Sequence, residues 1–346
     1  MRLCGMTMEE LEKAAKDAGV ETYRVKQVLK WVYERGVTDF EKMTDLPGAL
    51  RKKLGETLEV MSTRVTARQE DPDGTVKLLV ELGDGNGVEC VLIRRGSNRT
   101  GCISTQVGCA VRCVFCASGA EGLVRNLEAG EIVEQALHLA GAGGEYQRMD
   151  NLVFMGVGEP MFNYEAVVKA IRILNAPWGM GLAARRMTVS TVGVPGTIER
   201  LGEEGLQVNL AISLHSGDDR KRKQIIPHAG VMKVNEVVGS AVLYREKTGR
   251  DVTFEYVLIA GVNDSAEDAG RLVRVLKGQP ATVNVIELNE VEGSELRGPG
   301  PEAVRGFVEG LKRAGLNVTH RRRKGARAGA ACGQLRLHRG LLRGPT

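Results

Sequence analysis

Cys109-Ala-Val-Arg-Cys113-Val-Phe-Cys116 places three thiols within eight residues, and the reading of this stretch decides that of the whole chain. Thiolates are soft, anionic ligands that suit iron–sulfur clusters or zinc. Cluster and structural zinc sites normally take four protein ligands, and no fourth cysteine lies close by. Three thiolates on a four-iron cluster leave one iron open, and an open iron is where a substrate can coordinate. A zinc knuckle completed by a distant His or Cys is the plainer alternative. It is disfavoured because structural zinc ligands usually come as two close pairs.

Around this loop, from residue 100 onward, apolar strands alternate with helical stretches, the mark of parallel βαβ units. Strands are expected at 102–107, 151–156, 186–191, 207–214, 252–259 and 281–288. Helices are expected at 128–141, 163–175, 195–204, 233–247, 265–277 and 301–314. Six such units fall short of the eight of a closed barrel. The fold class is therefore α/β, a partial (β/α)6 barrel open on one side, with a doubly wound open sheet as the alternative. Residues 7 to 56 read as helices, introduced by the capping signature Thr7-Met-Glu-Glu. From 62 to 94 the pattern changes to strands, with turn signals at Asp71-Pro-Asp-Gly74 and Gly83-Asp-Gly-Asn-Gly87. The expected organisation is an N-terminal helical accessory domain over 1–60 and a β-hairpin extension over 61–98. The barrel with a C-terminal cysteine follows over 99–337, and a basic tail over 338–346.

The chain has 346 residues, 42% of them hydrophobic and 26% charged, the profile of an ordinary soluble globular protein. Aromatics at 4% argue against a protein that reads bases mainly on stacking platforms. Seven cysteines without a secretory leader point to a reducing compartment and to metal or redox use. No stretch approaches the roughly 18 apolar residues of a membrane span, and a cytoplasmic protein is expected. A net charge of +5 is weak evidence for nucleic acid, but its distribution says more. Arg24, Lys26 and Lys30 surround one apolar helix stripe, and His320-Arg-Arg-Arg-Lys324 forms a second basic cluster shortly before Cys332. Either could be only a solvated face. The second would bring phosphates close to chemistry.

Parallel α/β folds gather ligands at the carboxyl ends of their strands. Here the first strand runs into the cysteine loop and the second into Gly156-Val-Gly-Glu159-Pro160. The third carries Ser190 and Thr191, the fourth Ser213-Leu214-His215, and the sixth leads to Asn289. Gly-x-Gly alone could be a tight turn, and a lone His is more often a satisfied core group. Five polar strand ends facing one way favour a binding site. Two further cysteines stand apart from the triplet: Cys102, and Cys332 inside Gly329-Ala-Ala-Cys-Gly-Gln-Leu335. A cysteine in a Gly/Ala segment has little packing reason to be there, and the arginines before it supply electropositive surroundings. Cys4 and Cys90 read as inert thiols.

Together these motifs resemble the RlmN/Cfr family of radical S-adenosylmethionine (SAM) RNA adenosine methyltransferases, from about residue 7 to 337. The likeness rests on the C-x3-C-x2-C triplet, Cys102-Ile-Ser-Thr-Gln-Val-Gly-Cys109 and Gly158-Glu-Pro. It extends to Arg186-Met-Thr-Val-Ser-Thr191, Ala211-Ile-Ser-Leu-His215 and Ala330-Ala-Cys-Gly-Gln-Leu335. The resemblance implies one [4Fe-4S] cluster on Cys109, Cys113 and Cys116. It implies SAM, two per turnover, at Gly158, Glu159, Ser190, Ser213, Leu214, His215 and Asn289. Cys332 matches the methyl-carrying cysteine, Cys102 its resolving partner, and Glu89 the proton acceptor. The implied partners are RNA (23S rRNA, with tRNA as a further substrate) and an electron donor of flavodoxin or ferredoxin type, and the implied state is a monomer.

The resemblance also implies a reason for such machinery. Carbons 2 and 8 of adenine are electron-poor and cannot attack a SAM methyl group. In the implied route one SAM methylates Cys332, and a second is cleaved to a radical that takes hydrogen from the S-methyl group. The carbon radical adds to adenine, and Cys102 resolves the adduct with formation of a Cys102–Cys332 disulfide. Two departures bear on substrate: Arg327-Ala-Gly329 stands where the family has Asp-Ile-Asp, and Glu290 follows Asn289 where it has proline. Carbon-2 methylation of ribosomal RNA is the leading expectation. Carbon-8 methylation or another RNA is the alternative, and a zinc-held RNA-binding module the non-enzymatic one.

Overall fold

The computed structural model describes residues 2–228, 230–291, 293–321, 325 and 328–336. The expected basic tail over 338–346, with Arg322, Arg323 and Arg327, lies outside the described residues. At Thr7 the capping signature does what its chemistry allows: the hydroxyl accepts from Glu10 N while the Glu10 carboxylate accepts from Thr7 N. That starts α1 (Met8–Asp17), followed by α2 (Thr22–Arg35) and α3 (Gly48–Thr57). The apolar stripe of α2 turns Val25, Val28, Leu29, Val32 and Tyr33 inward. Gly36, at φ 66°, ends it in the left-handed conformation that glycine adopts without a Cβ penalty.

Strands β1 (Arg64–Glu70), β2 (Val76–Glu81) and β3 (Gly87–Arg95) form an antiparallel meander, and β3 pairs antiparallel with β4 (Asn98–Cys102). The extension expected as a hairpin is thus the antiparallel edge of the main sheet. After Cys102 the chain leaves that sheet. Gln106–Gly108 (β5) pairs instead with Leu123–Asn126 (β6) as a separate ribbon, with the cysteine loop strung between its strands. The first parallel strand therefore ends where the sequence pattern has it begin.

The parallel part continues through β7 (Asn151–Phe154), β8 (Met187–Thr191), β9 (Asn209–Ser213), β10 (Val252–Leu258), β11 (Ala281–Glu287) and β12 (Asn317–Arg321). Its crossovers hold α4 (Ala129–Gly141), α5 (Tyr164–Asn175), α6 (Thr197–Glu203), α7 (Asp219–Ile225), α8 (Val234–Thr248), α9 (Ala266–Leu276) and α10 (Pro301–Arg313). The ten-stranded sheet runs in chain order from β1 to β12 with the ribbon left out, and both outer strands are edges. A doubly wound sheet needs a reversal of strand order, which is absent here, so the sheet is an open, barrel-like wall. Strand β12 is one more than the six expected; as a mostly exposed edge it lacks the apolar run that betrays a buried parallel strand. Among the described residues, no helix is long and apolar enough to cross a membrane.

Candidate active site

The carboxyl ends of these strands surround a solvent-open cavity, and the cysteine loop forms one wall. Gly108, at φ 77°, brings β5 so close to β6 that a Cβ would meet Gly122 O at 2.0 Å. Cys109 N then donates to Gly122 O at 3.1 Å, and Val114 N to Ile225 O at the end of α7 at 3.0 Å. This places the half-buried Cys109, Cys113 and Cys116 on the cavity wall. Burial pushes the Cys109 thiol up to about 12, and it raises the Cys113 thiol too, with the two neighbouring thiols adding to it. Thiols so placed ionise only beside strong positive charge, such as bound iron or zinc. Among the described residues, no three His, Cys, Asp or Glu side chains converge as ligands of a single metal ion.

Facing them is the end of β7. Gly158 has φ 108°, and a Cβ there would lie 2.6 Å from Gln106 Cβ, so only glycine lets the chain pass. Glu159 is buried; its carboxylate accepts from Met161 N at 3.1 Å and Val192 N at 3.0 Å, while burial pushes it up to about 7. Ser190 and Ser213 line the same cavity. His215 takes a left-handed backbone (φ 57°), and burial with the nearby Arg222 lowers its ring to about 3. Its Nδ1 accepts from Val257 N at 3.2 Å, so the neutral ring carries its proton on Nε2, edge-on to Phe115. Leu214 does not reach the cavity: its side chain is fully buried in the main core, and its N–H goes to Glu255 O.

Cys332 opens onto the cavity from a loop that closes over the strand ends. Ala117 N donates to Gly333 O at 2.8 Å, Ser118 Oγ to Leu335 O at 2.7 Å, and Asn289 Nδ2 to Cys332 O at 3.0 Å. Asn289 Oδ1 is buried without a partner among the described residues. An orphaned buried acceptor on the Cys332 loop and three thiols on one cavity wall suit a polar co-substrate and a soft metal centre, respectively. Cys102 lies behind the loop, packed with Ala330 and Leu335 on either side of Cys332. Burial, with the Cys332 charge adding, pushes the Cys102 thiol up to about 12, against the pull of Arg321. Glu89 pairs with Lys77 at 2.9 Å and accepts from Arg336 N at 2.9 Å; it supports the loop from beneath and is not on the cavity wall.

The β1–β2 turn grips the other end of this loop. Asp73 Oδ2 accepts from Gly325 N at 3.0 Å and Asp71 Oδ2 from Ala328 N at 3.1 Å, while Lys77 Nζ reaches Gly329 O at 3.3 Å. The Oδ1 atoms build the turn itself, accepting from Asp73 N and Thr75 N. Replacing both residues by asparagine keeps Oδ1 for the turn and turns an amide NH2 toward the loop donors. Each charge-assisted bond lost is worth about 1.5–3 kcal/mol of local stability. Asp71→Asn with Asp73→Asn should therefore speed amide exchange at Gly325 and Ala328 by about 10-fold or more and leave the barrel's protection unchanged. Unchanged exchange in that segment would show that the turn does not hold the loop.

Two charged cavity residues lie outside the sequence-based site list. Glu255, inside the apolar strand Val-Thr-Phe-Glu-Tyr-Val-Leu, points a buried carboxylate into the cavity; Asn284 Nδ2 donates to it at 2.7 Å, and burial pushes it up to about 7. Arg321, the last residue of β12, lines the cavity and pulls down the thiols of both Cys102 and Cys332. A charge within a strand's apolar run was the signal for the first. The second was visible only as part of a basic cluster.

Comparison with known proteins agrees with this geometry. Residues 1–60 match the ribosomal RNA large subunit methyltransferase N-terminal domain, and residues 103–273 the radical SAM superfamily. The chain is 46% identical over 344 residues to a probable dual-specificity RNA methyltransferase RlmN of Moorella thermoacetica, covering 97% of each. It is 45% identical over 336 residues to that of Symbiobacterium thermophilum, covering 96% of this chain and 91% of the relative. The crystal structure of a radical SAM methyltransferase from Sphaerobacter thermophilus superposes with a TM-score of 0.94 at 41% identity, over 97% of this chain and 99% of that one. Identity of this extent is incompatible with a zinc-held binding module, and the chain belongs to the RlmN family of radical-SAM RNA methyltransferases.

Proposed function

We propose that this enzyme methylates carbon 2 of an adenosine in 23S rRNA, with tRNA as a further substrate, through an S-methyl group carried on Cys332. The observation that carries this reading is the meeting of Cys102 and Cys332, 230 positions apart in the chain, beside the triplet of cysteines. A structural pair of thiols would not need one member open to a cavity. Cys109, Cys113 and Cys116 would hold the [4Fe-4S] cluster, and Gly158, Glu159, Ser190, Ser213, His215 and Asn289 would hold SAM. When bound, this pair supplies the one-electron chemistry that activates a methyl group otherwise inert toward an electron-poor ring carbon.

The protein's own residues divide the remaining work. Cys332 carries the methyl group as a thioether, and its loop, pinned by Asn289, Ala117 and Ser118, presents it to the cavity. Cys102 waits as a thiol, because burial holds it well above neutral ionisation. Arg321 faces both sulfurs and favours the thiolate whenever either must attack. The ion pair with Lys77 presents Glu89 as a carboxylate, the form a proton acceptor needs, and a shift of the Cys332 loop would uncover it. Release of product leaves a Cys102–Cys332 disulfide, so each turnover requires two SAM and reduction of that bond. A flavodoxin- or ferredoxin-type donor, a cytoplasmic setting and a monomeric state complete the proposal.

The test is incubation of anaerobically reconstituted enzyme, SAM and a reductant with protein-free 23S rRNA and, separately, with tRNA, followed by nuclease digestion and mass spectrometry against methyladenosine standards. The expected product is 2-methyladenosine. Formation of 8-methyladenosine, or of no methylated adenosine in either RNA, would overturn the assignment.

A further inference from the structure

We infer that Arg222 is a positioning residue that fixes a positive charge beneath the cysteine loop and raises the reduction potential of the cluster held there. This rests on the reading of Cys109, Cys113 and Cys116 as cluster ligands. Arg222 lies in α7 and is only 4% exposed, yet among the described residues its guanidinium has no hydrogen-bonded carboxylate. It donates to three neutral carbonyls, Met232 O at 2.8 Å, Val192 O, and Ser213 O at 3.4 Å. Its Nε has no partner among the described residues. A buried cation in that condition is costly unless an anion completes it.

The geometry shows where that anion belongs. Val192 and Ser213 line the cavity at the ends of β8 and β9, so the guanidinium ties two strand ends together under its floor. Helix α7 is joined to the cysteine loop by the Val114 N to Ile225 O bond. Ile225, Ile226, Val111 and Val192 pack with Cys109 and Cys113 in one small apolar cluster. Across it the Arg222 charge pulls the Cys113 thiol down, and Cys113 in turn favours the charged guanidinium. Asp219, the acid on the same helix, also favours the charged guanidinium, less than Cys113 does; it is exposed and accepts from Val234 N at 2.8 Å. Glu159 has its carboxylate on Met161 N and Val192 N, and His215 is neutral. Of the anionic groups near Arg222, Cys113 therefore acts on it most strongly.

The consequence follows from charge. A cubane core of charge 2+ on three thiolates carries one net negative charge, and reduction adds a second. A fixed cation in a medium of low dielectric stabilises the more negative state more. Arg222 thus eases electron entry without touching substrate.

The experiment uses the full chain, reconstituted anaerobically, with Arg222→Met, Arg222→Gln and Arg222→Lys alongside. Equilibrium redox titration, followed by the cluster's electron paramagnetic resonance signal, gives each midpoint potential; iron and sulfide are assayed in parallel. Both uncharged variants are expected to hold about four irons yet titrate at a more negative potential, with lysine restoring most of the shift. Glutamine keeps a donor for the carbonyls, so it carries the test if methionine does not fold. A midpoint unchanged in a cluster-loaded uncharged variant would overturn the inference. So would an equal shift in the lysine variant, or loss of the cluster in all three. A wild-type protein that binds no iron–sulfur cluster would instead refute the ligand assignment beneath it.

Discussion

Cys332→Ala is expected to produce neither methylated protein nor methylated RNA, whereas Cys102→Ala should trap protein covalently on RNA. The two cysteines stand in different surroundings. Cys332 opens onto the cavity, and its loop is hydrogen-bonded at Ala117, Ser118 and Asn289, so the alanine variant keeps every one of those contacts and loses only the sulfur. Without it nothing carries the methyl group, and RNA methylation should fall by on the order of 10⁴-fold or more. Cys102 is 9% exposed and packs against Ala330 and Leu335, so its removal leaves the carrier loaded and able to react. The adduct then lacks the thiol that releases it. Denaturing gels of Cys102→Ala from cells should show a slower, nuclease-sensitive species, and intact-mass analysis of Cys332→Ala should show no added methyl. Normal product yield from Cys102→Ala, with no crosslink, would make that cysteine a packing residue only.

What the sequence discloses here depends on how local the determining physics is. The cysteine triplet, the Thr7 cap and the turn signals are contained in short windows; the cap and the turns form as their chemistry requires, and the triplet lies on the cavity wall. The polar strand ends were legible because parallel strands aim their carboxyl ends at one face, which brings Ser190, Ser213, His215 and Glu159 to one cavity. Leu214 shows the limit of position alone: it follows Ser213, but the pleat turns its side chain into the core. The first parallel strand was placed too late, at 102–107, because Cys102 to Gln106 has strand composition although its hydrogen bonds are divided between two sheets. The grip of the Asp71 turn on the Cys332 loop spans about 250 positions and has no local signature. The role of Arg222 depends on which neighbours the fold supplies, so its charge had no signal in the sequence, whereas Glu255 at least interrupts an apolar strand.

The middle cysteine of the triplet should be the most damaging single loss in the protein. Cys113 sits in the apolar cluster of Val111, Ile225, Ile226 and Val192, raised by burial and by its two neighbouring thiols. It is also the thiol that Arg222 favours as an anion. Cys113→Ala leaves two thiolates for a cluster that already has one iron without a protein ligand, and metal affinity falls steeply as ligands are removed. Iron is expected to drop from about four per chain to below one, with SAM cleavage to 5′-deoxyadenosine and RNA methylation lost together. Controls are available in the same chain. Cys4 and Cys90 are fully buried in the main core, and Cys90 lies on β3 outside the cavity wall. Cys4→Ala or Cys90→Ala should cost on the order of 1 kcal/mol in packing and leave iron content intact. Iron and sulfide assays with the visible absorption of anaerobically purified protein make the comparison directly. If Cys113→Ala retains a full complement of iron and still forms 5′-deoxyadenosine, Cys113 does not hold the cluster.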